Sequence, residues 1–134
     1  MRIQFLTYFC SLFFISVYAQ EQHAWVYFAD KPNATSYLEA PLTMLTQKSL
    51  DRRAAQSIVL GLQDVPIEAS YVSSVASSAG IAVKAKSKWL NALHVIGTKE
   101  NIDALMSLEG VVSVDYANQT LNKGGKKRNK YPKN

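Results

Sequence analysis

Cysteine, histidine and glycine are scarce in this chain: one, two and six among 134 residues. The single cysteine, Cys10, lies inside an apolar opening run. Once that run is removed, neither a disulfide framework nor a thiolate metal site can form. His23 falls at the frayed start of the remaining chain and His94 inside a strand, so no second ligand stands beside either. The expectation is no metal and no cofactor, with His94 at an exposed or interface position of its strand. The glycines form no phosphate-cradling loop, and no serine sits in a Gly-x-Ser-x-Gly elbow. A catalytic site needs a nucleophile, a base or a metal within mutual reach. These absences exclude a small hydrolase and predict a non-catalytic chain.

A basic face is also missing, although the formal net charge is +5. Beyond Gln119 the bases Lys123, Lys126, Lys127, Arg128, Lys130 and Lys133 stand without an acid. Between Gln20 and Asn118, 8 basic residues face 10 acidic ones. The body is too nearly neutral for a nucleic-acid footprint. Residues 119–134, Gly-rich and basic, read as a disordered linker or tail. At the other end, Met1-Arg2, the apolar run Phe5 to Val17 and the small-residue site Val17-Tyr18-Ala19 have the anatomy of a secretory signal. The run is short of the ~20 apolar residues of a bilayer span and lacks a stop-transfer cluster. Cleavage after Ala19, export to the periplasm or medium, and no stable membrane anchor are the expectations. Residues 1–19, 20–118 and 119–134 are then signal, domain and tail.

Within the domain, Ala24 to Ala29 is a run of strand formers stopped by Asp30-Lys31-Pro32-Asn33. Thr35 to Pro41 reads as a loop. A helix capped by Thr46 or Ser49 runs to Ile58, with Leu50, Ala54 and Ile58 on one face. Asp51-Arg52-Arg53 reads as its solvated side. A second helix opens at Asp64-Val65-Pro66, carries Ile67, Tyr71, Val72, Val75 and Ala79 as its stripe, and ends at Gly80. Ile81 to Lys88 alternates, placing Ile81, Val83 and Ala85 opposite Lys84, Lys86 and Lys88. After a sharp bend near Ser87-Lys88-Trp89, a strand from Trp89 to Ile96 follows. Thr98 caps a third helix with Ile102, Leu105 and Met106 inward and Gly110 at its end. Val111 to Tyr116 is the last strand. Asn33-Ala34-Thr35 and Asn118-Gln119-Thr120 match the glycosylation pattern and are read as chance. The fold class is α+β: a ferredoxin-like four-stranded antiparallel sheet, two main helices on one face and an extra short helix.

The strings Ala24-Trp25-Val26-Tyr27-Phe28-Ala29-Asp30-Lys31-Pro32, Leu50-Asp51-Arg52-Arg53, Asp64-Val65-Pro66-Ile67 and Lys86-Ser87-Lys88-Trp89-Leu90-Asn91-Ala92-Leu93 resemble the amino-terminal region of secreted bacterial subtilases. The resemblance covers roughly residues 1–118. It implies an inhibitory, fold-assisting propeptide whose partner is a subtilisin-like protease catalytic domain, in cis or in trans. The aspartate, histidine and serine motifs of that catalytic domain are missing from this chain. The implied contacts are a sheet face carrying Trp25, Tyr27, Leu90, Ala92 and His94, and a cleft-directed segment, Tyr116, Ala117, Asn118 and Gln119. The strands support such a role independently. They are apolar on both faces, where a solvated antiparallel face would alternate with polar residues. A free-standing exported binding module or inhibitor is the competing reading, and the sequence leaves it open.

Overall fold

The computed structural model describes residues 20–122. The expected signal segment with Cys10 and its cleavage point, and the basic run 123–134, lie outside the described residues.

Four strands form one antiparallel sheet: β1 (Glu21–Phe28), β2 (Ala82–Ser87), β3 (Ala92–Thr98) and β4 (Val111–Tyr116), in the spatial order β2-β3-β1-β4. The architecture is α+β. β1 lies between β3 and β4 because its long run of β-formers is apolar on both sides. Period-two alternation gives each strand two faces. Ala24, Val26 and Phe28 of β1 share one face with Leu93 and Val95 of β3 and with Val114 and Tyr116 of β4. These residues join Tyr71 and Val75 of α3 (Ala69–Ala76), and Ile102 of α4 (Lys99–Ala104) with the adjoining Leu105, in one core cluster.

The helices differ from expectation in instructive ways. Residues 35–41 are not a loop: α1 (Ala34–Glu39) occupies most of them, and Pro41 opens a 3-10 turn to Thr43. α1 has too few turns to show an apolar stripe, so periodicity could not reveal it. α2 (Gln47–Ala55) is capped by Thr46, whose hydroxyl accepts from the Ser49 amide at 3.3 Å. It ends before Ile58, with Ser57 at φ 55°, and none of its residues is buried. The expected Leu50–Ala54–Ile58 stripe is therefore not a core face. α3 starts after Glu68, not at Pro66; Ile67 precedes it and packs into the core with Val72, as a hydrophobic staple does. Its C-cap is Ser77, so Gly80 (φ +66°) shapes the turn into β2 instead of ending the helix. Thr98 caps α4 as expected, accepting from the Asn101 amide. Met106 points away, 47% exposed.

Two close approaches fix the layers. The Tyr71 ring lies over Gly110, where a Cβ would stand 2.4 Å from it. That ring also stacks on Phe28 at 5.3 Å, and its hydroxyl donates to Asp30 at 3.0 Å. Burial and the Asp30 contact matter together: the hydrogen bond, foremost, and desolvation raise the phenol's pKa.

Candidate docking face

The opposite face of the sheet carries His23, Trp25 and Tyr27 from β1, Ala92, His94 and Ile96 from β3, and Ser113 and Asp115 from β4. Register makes this group. Trp25 stands opposite His94 on one side and Asp115 on the other, and Tyr27 opposite Ala92 and Ser113. Trp25, Tyr27, His94 and Ile96 are half-buried, whereas Ala92 is fully covered. His23, expected to be frayed, is held in β1: its Nδ1 lies 3.1 Å from Nε2 of His94, with the rings stacked at 5.3 Å. Trp25 meets the His94 ring at 5.4 Å.

Leu90 does not belong to this face. Residues 88–91 form the β2–β3 turn, with Trp89 and Leu90 exposed at its tip. Asn91 adopts φ 50° there, and its amide ties the turn to the Phe28 and Asp30 carbonyls. In β2 a bulge between Val83 and Ala85 resets the alternation. Ala85 consequently pairs with His94 on the face that carries Trp25, and Lys86 pairs with Leu93 on the helix side.

The chain leaves β4 through a tied segment. Tyr116 is 4% exposed, and its ring belongs to the core. Its hydroxyl donates to Asp103 at 2.7 Å and to the Lys99 carbonyl at 3.2 Å. Burial, then the Asp103 contact, push that phenol well above its usual range. Tyr116 is thus an anchor, not a free contact residue. Ala117 donates its amide to the His23 carbonyl at 2.8 Å. Asn118 caps a 3-10 turn over Gln119–Leu121, and Asn122 closes it by accepting from the Tyr116 amide at 2.8 Å. Residues 119–122, expected to be disordered from composition, are held by these side-chain amides.

The sequence profile of the peptidase S8 propeptide domain of Bacteroidota matches residues 23–133. The chain belongs to that family. No curated protein and no solved structure matches it. The match takes in both the sheet and the basic segment after Asn118. A propeptide domain of a subtilisin-like serine protease precursor implies association with an S8 catalytic domain. No helix among the described residues is long and apolar enough to cross a membrane.

Reading the propeptide domain residue by residue misses three groups. Lys31 extends from the β1 exit and donates to the carbonyls of Leu62, Val65 and Lys88 at 2.7, 2.6 and 2.7 Å. Burial and the neighbouring Lys88 lower its pKa. Arg53, read as solvated, pairs with buried Asp64 at 2.6 Å, while Asp51 and Arg52 are exposed. Arg52, Arg53 and Asp64 line a shallow concavity of about 690 Å³ with Ile58, Leu62 and Trp89. The signal for both cations was only a charge beside a turn, which does not distinguish a staple from a solvated side chain. The third group is the His23–His94 pair, invisible until the register of β1 against β3 is known.

Proposed function

We propose that this propeptide domain is the inhibitor and folding assistant of an S8 catalytic domain, exported with it after cleavage of residues 1–19, and without catalytic chemistry of its own. The open sheet face, centred on Trp25 and Tyr27 with Ala92 and His94 beside them, docks on the protease surface. The segment after the Tyr116 anchor, Ala117, Asn118 and Gln119, enters the cleft once the turn closed by Asn122 opens. There it adds backbone hydrogen bonds to the protease as an extra strand.

The observation that carries this reading is the open face itself. The buried side chains of α3 and α4 all serve the other face, so aromatic surface on β1 is left half-covered. Covering a few hundred Å² of it at about 25 cal/mol per Å² gives several kcal/mol before association costs. Binding only the folded protease would also favour its folding by mass action. The element order, with α1 and α2 inserted before α3, and the strand order β2-β3-β1-β4 support a ferredoxin-like, split βαβ arrangement. To test the reading, the full chain is added to a Bacteroidota S8 catalytic domain. Slow tight inhibition and a higher refolding yield are expected; neither appearing would reject it.

A further inference from the structure

We propose that His23 and His94 form a two-imidazole binding site for a divalent late first-row metal ion, Cu²⁺ above Zn²⁺, on the open face of the sheet. The two residues are 71 positions apart and meet only because β1 pairs with β3. His23 stands opposite Ile96 and His94 opposite Trp25, so the imidazoles are diagonal neighbours on one face.

The separation suits a shared ion. Two nitrogens each ~2.0–2.1 Å from a metal lie about 3.3 Å apart at a tetrahedral angle and about 2.9 Å apart at a right angle. Nδ1 of His23 and Nε2 of His94 are 3.1 Å apart, between those values. Small ring rotations would turn both lone pairs toward one point, the ion taking the place of the proton the nitrogens now share. The scaffold restrains larger motions. Both residues sit in paired strands, and Trp25 flanks the His94 ring. His23 is exposed and leaves an entry path.

Imidazole suits copper and zinc, and the order of divalent affinities places Cu²⁺ first. Among the described residues no group of three or more His, Cys, Asp or Glu could hold a metal. The remaining coordination positions therefore fall to water, giving a chelatable, not a structural, site. Because the ligands converge only in the folded sheet, bound metal stabilises the domain. The site stands whether or not the face docks on a protease.

The test titrates Cu²⁺ and Zn²⁺ separately into the full chain carrying Cys10→Ser, which removes the one thiol. One equivalent should bind, the melting temperature should rise with metal, and copper EPR should show two imidazole nitrogens. His23→Gln and His94→Gln should each weaken binding by more than the ~10–100-fold that loss of an outer-shell partner costs. Parent-like affinity in either variant, or no saturable binding, overturns the proposal. Should a variant fail to fold by circular dichroism, the EPR of the parent decides alone, and a spectrum with fewer than two imidazole nitrogens overturns it. Metal binding with neither protease inhibition nor a higher refolding yield would leave the site standing and reject only the docking reading.

Discussion

The two faces of the sheet are built from the same strands yet follow different rules. On the closed face, Val26, Leu93 and Val95 are 0% exposed and Phe28 is 5% exposed. On the open face, Trp25, Tyr27 and His94 are half-buried. Aliphatic side chains dominate the first, and the hydroxyl that Tyr116 brings to it is paired with Asp103. The second uses rings with a polar atom, which tolerate water on one side and a protein on the other. One face is committed to folding, and the other keeps ring surface half-covered, as the proposed docking requires.

The sharpest way to break this distinction is to empty one position on each face. Leu93→Ala removes a fully buried side chain from the core cluster that also holds residues of α3 and α4. It should cost ~2–5 kcal/mol in urea unfolding, since both the transfer and the cavity terms apply. Trp25→Ala should cost under ~1 kcal/mol of fold stability, because its ring is still partly hydrated. The same change should weaken association with an S8 catalytic domain by ~2 kcal/mol or more, the behaviour of an aromatic anchor at the centre of an interface. Calorimetric titration against that domain checks it. Comparable losses of fold stability for the two variants would show that the faces do not differ in kind.

The same contrast explains what was legible in the sequence. β1, β4, the Tyr71–Val75 stripe and the Thr98 cap announce themselves, because each depends on residues close in the chain. The β2 alternation is right up to Val83 and wrong from Ala85, since a bulge adds one residue without changing composition. Leu90 falls in a turn because Asn91 takes a left-handed conformation, which asparagine tolerates better than most residues but does not reveal in advance. Lys31 and His23 gain their roles from partners 31 to 71 positions away. No local pattern carries that information; only strand register and loop closure do.

Tyr116 joins the two faces, and it offers the finest test. Its ring closes the core, while the next residue, Ala117, pairs with the strand that carries His23 and Trp25. Tyr116→Phe keeps the ring and removes the hydroxyl's bonds to Asp103 and the Lys99 carbonyl. Near neutral pH the loss should be about 1 kcal/mol, because the carboxylate that loses a donor retains Lys99 and solvent. The pH dependence gives a sign that packing alone would not. Burial and Asp103 raise the folded-state pKa, so above the ordinary tyrosine value of ~10 the folded chain holds a proton that the unfolded chain has lost. The hydroxyl's contribution is therefore complete below about pH 10 and declines as pH rises beyond it. Urea unfolding of the parent and Tyr116→Phe at pH 8 and at ~pH 11 should show the stability gap narrowing. Tyr71, common to both proteins, cancels in the difference. A gap that stays constant across that range would mean the hydroxyl gains nothing from its buried position, and the anchor would then be the ring alone.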